Sequence, residues 1–562
     1  MSRRRVSSAS APSVWKCRCV LIAMIKSISS GAALLCVLQL AAACESLTGI
    51  GDLSIEPTAE QSAAEDDSKE APDDGLDEPC TSNRECTQRA TLASRALDLA
   101  GSAEKVPAVC VENKHCVTLT SRDCLTVTGD YLDDSAIVLA SLFSTTGPQA
   151  MTNLHRERSA LLAVSEINAA GGIPKETSSA ESRPVVMVSC DEVSNLQRVA
   201  THLVNELHVP AIVGPNTSQD TLDLSTMFAI ADGTLVISPT AVASSIADLL
   251  DDDLTWLMVP TDLQRGPLLM DQIGELERQL VSRNSPKGLK LGVIYRDDAF
   301  GIGTRVSLND LVVNGRPLSD PINLGDRVKI NGYNYRARDQ RDLVREYAAF
   351  APQIIVLAGT AEAVTNVMLP LEEEWRNDAP RPYYVLTDSS KVPDLLNALK
   401  TNDDLRMRIR GTGVTSVPDS AAVYNAFKVG YQVKYDLLAE YSGMGTAYDA
   451  TYAIAYAIAA EPVKRITGRS IAEGLRKLNN GDEIPIQGTT VRSAFRALVA
   501  GDGIRAIGTL APLDWDEKGA VTSGRVEIWC VSSGAAGPAF QSSGVVFDVA
   551  SKKISGRYFP CD

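Results

Sequence analysis

The sequence predicts an α/β protein: two lobes, each a parallel sheet wound with helices, preceded by a small disulfide-stapled module. Three observations predict it. From about residue 135 onward, short apolar runs alternate with segments of helical period. Those runs are apolar throughout rather than every second residue, as strands covered on both faces require. Ahead of them lies a short stretch dense in cysteine. At 562 residues the chain has length for several domains, and its 44% apolar and 22% charged residues are ordinary globular usage. The formal charge of −16 carries no basic footprint, which argues against nucleic acid as a partner.

The elements follow in order. Residues 1–43 carry six basic side chains and no acidic one. Ser27 to Ala43 is an uncharged, largely apolar stretch after Lys26, with small residues at its end, and reads as a signal peptide. Seventeen residues are marginal for a spanning helix, and no basic flank follows. From Glu45 to Glu78 twelve acids stand against Lys69 alone, with no apolar period, so 44–78 reads as a disordered tether.

Of twelve Cys, Cys17, Cys19 and Cys36 precede Cys44, and eight follow it: Cys80, Cys86, Cys110, Cys116, Cys124, Cys190, Cys530 and Cys561. An even number in an exported chain makes disulfides the expectation. The paired C-x5-C units at Cys80/Cys86 and Cys110/Cys116 invite zinc, but the spacing is wide for it and the four His are scattered. Residues 79–124 therefore read as a disulfide module, with three connectivities open to those four Cys.

In the body, AIVLASL (136–142) is a buried strand, and Arg156 to Ala170 is a helix stopped by Gly171-Gly172. PVVMVSC, VPAIVG and TLVISP follow as strands, with a helix marked by Leu196, Val199, Ala200, Leu203, Val204 and Leu207. LKLGVIY, PQIIVLAG and YYVLTD repeat the rhythm after Pro260. Ligands of such sheets bind outside the carboxyl ends of the strands. The loops there, 141–148, 214–218, 238–242, 297–303, 359–360 and 387–390, are rich in Ser, Thr, Gly and Asp. Helix N-termini with free amides favour an anionic group, so a carboxylate-bearing small molecule suits them. Ser218 and Asp388, each taken alone, read equally well as helix caps.

Ten ordered segments resemble the type I periplasmic binding proteins, nearest the Leu/Ile/Val-binding proteins of ABC importers: AIVLASLFSTTGP, SEINAAGGI, SCDE, AIVGPNTS, LVISPTAVAS, MVPTDLQRGP, GVIYRDDAFG, IIVLAG, TAYDATYAIAYAI and LDWDEKGAV. The likeness spans about Ser135 to Ile528. It implies two Rossmann-like lobes joined by a three-strand hinge, with lobe I at 133–260 plus 415–512 and lobe II at 261–414 plus 513–562. It implies an amino-acid-like or carboxylate ligand between them and an ABC permease as partner. The family's carboxylate-binding loops fall on Ser218 and on Thr240 and Val242, the last replacing a usual Thr. The acid that meets an ammonium falls near Asp388, and Phe300 replaces a common Tyr. Leu40-Ala41-Ala42-Ala43-Cys44 resembles a bacterial lipobox, implying lipid on Cys44 and anchorage on the periplasmic or surface side of the envelope. Cys190 matches a family half-cystine whose usual partner position is Thr217 here. Cys190 is accordingly assigned to Cys124, and Cys530 to Cys561.

No enzyme is indicated. No G-x-S-x-G elbow or P-loop occurs, and Gly301-x-Gly303 and Gly501-x-Gly503 lack the third glycine of a dinucleotide fingerprint. His202 and His208 read as structural, and Asp251-Asp252-Asp253 as a solvated loop. No cofactor is expected. The alternative to transport is a ligand sensor or surface lipoprotein of the same fold.

Overall fold

Near-continuous apolar runs become the strands of two sheets, and the polar segments between them become the connecting loops. The computed structural model describes residues 76–561 apart from 77, 97–104, 113, 176–180, 194, 285–287, 376–378, 463–464 and 536. The signal peptide, Cys44 and the tether as far as residue 75 lie outside the described residues.

The module is a helix α1 (Asn83–Ala96) against an antiparallel pair, β1 (Ala108–Cys110) and β2 (Cys116–Thr118), with Cys110 opposite Cys116. Its disulfides are Cys80–Cys110 and Cys86–Cys116. Little else fills its core, where Ala90 and Ala108 pack on the cystines. The module is fastened to the first lobe: the Asn83 amide donates to Asp134 Oδ1 (2.6 Å) and its side chain to the Asp133 carbonyl (3.0 Å).

The first sheet contains β3 (Cys124–Thr128), β4 (Ile137–Phe143), β5 (Val185–Asp191), β6 (Ala211–Val213), β7 (Leu235–Ser238) and β8 (Thr255–Leu257). Its order is β8-β7-β6-β4-β5-β3, all parallel except β3, which runs antiparallel to β5. Cys124 sits opposite Cys190 in that register, and the two form a disulfide. Residues 124–128 thus belong to this sheet, ahead of the expected start at 133. Helix α2 (Ala150–Ala169) begins well before the expected Arg156, because the Gly147–Gln149 turn feeds straight into it.

The second sheet is fed by the long helix α3 (Asp262–Asn284). Its strands are β9 (Leu291–Arg296), β10 (Val328–Tyr333), β11 (Ile354–Ala358), β12 (Tyr383–Leu386), β13 (Ile409–Thr415), β14 (Arg525–Ser532), β15 (Ala539–Asp548) and β16 (Lys553–Ser555). The order β10-β9-β11-β12-β13-β14-β15-β16 is parallel up to β13 and antiparallel beyond it. That antiparallel end departs from the all-parallel expectation. Strand β15 is mostly exposed over Ala539–Ser542 and alternates in burial from Ser543 on, as a strand with one wet face does. A disulfide from Cys530 to Cys561 pins the carboxyl end across it.

The chain crosses between lobes three times, at 258–261, at 416–420 and after Val521. Between the last two crossings it returns to the first lobe as α4 (Ala421–Tyr435) and α5 (Met444–Ala460), the latter buried along its whole length. Trp515 packs edge-on against Trp256 at 5.2 Å and donates to the Leu257 carbonyl (2.8 Å). The segment around Trp515 therefore stays on the first lobe, whereas 513 was the expected point of departure. The crossings are braced together: Val417 N–H bonds the Leu510 carbonyl (2.8 Å), and the buried Asp449 accepts from both the Thr509 N–H and its hydroxyl (2.7 Å each).

Candidate functional site

The strands of the first sheet end in polar side chains that hold one another. Glu192 follows β5, and its Oε1 accepts from the Ser144 hydroxyl at the end of β4 (2.5 Å). Ser144 N–H donates to Asn216 Oδ1 (3.3 Å), and the Thr240 hydroxyl donates to the Asn216 carbonyl (2.6 Å). Arg156 reaches in from α2, donating Nε to the Ser442 carbonyl and Nη1 to Asn153 Oδ1 (2.9 Å each). Gly443 closes this ring, with φ +84°; a Cβ there would fall 2.4 Å from Thr240 Cγ2 and 2.7 Å from Arg156 Nε, so only glycine fits.

Two atoms of the ring are buried without a partner among the described residues: Glu192 Oε2 and Asn153 Nδ2. Burial, with the nearby charge of Asp220, holds the Glu192 carboxyl well above the ordinary carboxylate range, against the Ser144 hydrogen bond and the Arg156 charge. Burial likewise lowers Arg156 to about 10, opposed by Asp388 and Glu192.

The five residues singled out from sequence fall as follows. Ser218 is buried as the first residue of the Ser218–Leu224 helix, and its Oγ accepts from the amides of Val242 (3.1 Å) and Ala243 (3.2 Å). The Ala241 amide is taken by Ser238 Oγ (3.1 Å) and the Ser244 amide by Asp262 Oδ1 (3.2 Å). The amides after Thr240, expected to receive an anionic ligand group, are thus engaged by the chain's own side chains. Val242 packs with Val259 and Phe300, an apolar contact spanning both lobes. Asp388, just after β12, pairs with Arg265 Nη1 (2.9 Å). Ser218, Thr240, Val242 and Phe300 gather at one place, and Asp388 faces the Arg156 charge from the second lobe.

The lobes touch directly. The Ala299 amide, which opens the Ala299–Val306 helix of the second lobe, donates to Gln219 Oε1 of the first (3.1 Å). Asp220 feels the charges of Arg296 and Arg336 across the same gap, although burial dominates and raises its carboxyl. Arg296 is itself held by Asp298 (2.6 Å) and lies over the Tyr335 ring at 4.0 Å.

Asn153, Arg156 and Glu192 escaped the sequence reading. The only signal for Glu192 was its place in SCDE at a strand end, and Asn153 lay ahead of the expected helix start.

Elsewhere, a cavity of about 840 Å³ lies between the module and the opposite ends of β4, β6 and β7, lined by residues such as Val111, Ile137, Val209 and Thr234. It is separate from the polar ring. The sulfurs of Cys80, Cys86 and Cys116 converge within 4.8 Å, but all three are in disulfides and offer no thiolate to a metal. His202 lies between Glu206 (2.8 Å) and the Leu119 carbonyl, and His208 beside Asp232, both away from the strand ends.

Residues 136–373 match a family model described as periplasmic binding protein. Among solved structures, the chain is similar to the branched-chain amino acid transporter substrate-binding protein LivJ of Streptococcus pneumoniae in complex with isoleucine, at 18% identity and TM-score 0.53, covering 72% of this chain and 99% of that one. The leucine-binding protein LivK of Thermotoga maritima aligns at 15% and TM-score 0.51, covering 72% and 98%. A fatty acid ABC transporter substrate-binding protein of Thermomonospora curvata aligns at 17% and 0.52, covering 75% and 95%. No curated protein sequence matches. No helix among the described residues is long and apolar enough to cross a membrane.

Proposed function

We propose that this chain, whose residues 136–373 match the periplasmic binding protein family and whose two-lobed body shares the type I fold of the leucine/isoleucine/valine-binding kind, is an extracytoplasmic solute-binding lipoprotein. It captures a small amino-acid-like or carboxylate ligand between the lobes and delivers it to an ABC transporter, anchored by lipid on Cys44. The observation that carries the reading is the ring of polar side chains at the strand ends of the first lobe, with partnerless buried atoms in it and charged groups of the second lobe facing it. Similar proteins named for isoleucine, leucine and fatty acid support a small acid-bearing solute as the ligand class.

A thermal-shift screen of amino acids, short and long carboxylates tests it. A true ligand stabilises by mass action, about 2.7 kcal/mol at a hundredfold excess over Kd, so the melting temperature rises with concentration. No rise with any member sinks the reading. Loss of detergent-phase partitioning in Cys44→Ser checks the anchor; an unmodified mature terminus elsewhere overturns it.

The module favours a second reading. It is bonded to the first lobe through Asn83, and could present the lobes to another envelope protein, as a sensor that transports nothing. Genes for a permease and ATPase beside this one would decide for transport.

A further inference from the structure

We propose that the cavity between the disulfide module and the first lobe is a second binding site, for a small molecule with an apolar body and one oxyanion, carboxylate or phosphate, that Arg183 receives. It is independent of the cleft between the lobes. The cavity, of about 840 Å³, has the size of a small-ligand pocket. One wall is Val109 to Val111 of the module. The other is the amino-terminal edge of the first sheet, where Ala136 precedes β4, Arg183 precedes β5, Val209 precedes β6 and Thr234 precedes β7. A ligand of the cleft would meet the carboxyl ends of these same strands, so the two sites lie at opposite edges of one sheet.

The cations of this cavity are matched within the chain, with one exception. Lys175 pairs with Glu181 (3.0 Å), Arg465 with Glu112 (2.6 Å) and His208 with Asp232 (3.4 Å). Arg183 has no ion pair and no side-chain hydrogen bond among the described residues, and its Nε is buried without an acceptor. Arg296 and Arg525 also have a buried Nε without an acceptor, but they pair with Asp298 and Asp548. The carbonyls of this edge already serve the chain: Pro184 accepts from the Ile137 amide (2.8 Å), Val209 from the Thr234 hydroxyl (3.0 Å) and Pro210 from the Leu235 amide (3.0 Å). The one remaining acid of the lining, Asp134, is exposed and takes the Asn83 amide. Burial pulls the Arg183 guanidinium below its ordinary range, with no carboxylate opposing the shift.

A half-buried cation without a counter-charge costs stability, and an anion in the cavity would offset that cost. The planar guanidinium presents paired N–H donors that match the oxygens of a carboxylate or a phosphate. Val111, Ile137, Val209 and Ile466 supply apolar surface beside it, which selects an anion carried on an apolar body over a bare ion.

The test titrates benzoate, octanoate and phenyl phosphate into the full chain by calorimetry, with neutral benzamide as the control. At least one anion should bind about tenfold or more tightly than benzamide, and the tighter of carboxylate and phosphate identifies the anionic group. Arg183→Gln should weaken that anion about tenfold or more while still melting cooperatively; Arg183→Lys, which keeps the charge without the fork, should fall between. The bound anion bridges module and lobe, so it should also slow proteolysis between residues 79 and 118 under a mild reductant, where a ligand of the cleft would not. Silence from all three anions, equal binding of benzamide, undiminished affinity in Arg183→Gln, or binding that leaves the module unprotected overturns the inference. None of these outcomes touches the cleft, which the wider screen tests separately.

Discussion

Among the described residues, the Ser218 hydroxyl oxygen is the sole acceptor for two buried backbone amides, those of Val242 and Ala243. Truncation strands both donors at about 1–3 kcal/mol each, so Ser218→Ala should lose roughly 2–6 kcal/mol in urea denaturation. A loss under about 1 kcal/mol would mean that water reaches both amides. The effect on stability separates this role from a direct ligand contact, for which affinity would fall with stability intact. A polar residue after a buried strand is legible as a loop residue of the binding edge, and Ser218 was read so. What it bonds was not legible, because residues 218 and 242 meet only when two strand ends are brought side by side. The same holds for Asn153 and Glu192, whose types are unremarkable until the fold places them in one ring, and for Asp388, whose partner Arg265 is distant in sequence.

At the level of elements, burial on both faces is what made the parallel strands readable. Where that condition fails, reading failed: β3 has one fully buried residue, Cys124, which was read as the end of the module while residues 125–128 were assigned to no element, and β15 and β16 alternate or lie exposed. The module itself shows how few contacts hold a small element. With a core that is mostly cystine, it depends on the two bridges, each worth about 2–5 kcal/mol. Under a mild reductant, limited proteolysis should cut between residues 79 and 118 while the two-lobed body persists. Cleavage of the body first would refute that order of stability. The Cys124→Ser/Cys190→Ser double variant should lower body stability by about 2–4 kcal/mol, since that bridge closes a 66-residue span between adjacent strands.

For the whole molecule, the two-lobe plan was legible because the strand and helix rhythm breaks once, near Pro260, and resumes. The crossings were legible only by likeness to a family, since nothing in their composition marks a hinge. Burial raises the carboxyls of Glu157 and Asp449 to about 7 each, and raises Glu192 in the same direction. The folded state therefore binds protons more readily than the unfolded chain, whose carboxyls titrate near 4. The stability this contributes is complete below about pH 4 and is lost as pH rises through 7. Calorimetry should find a higher melting temperature at pH 5.5 than at 8, and a shallower slope in Asp449→Asn, which keeps an acceptor for Thr509. A flat profile in the parent protein would contradict it. The threefold crossing carries one more consequence. A chain severed between Ser416 and Ser420 yields a first piece holding β3 to β13 and a second holding α4, α5 and β14 to β16, so each piece is indispensable to both lobes. Such a nick would not release half of the protein: the pieces stay interleaved as one particle, and expressed separately they are a natural pair for fragment complementation.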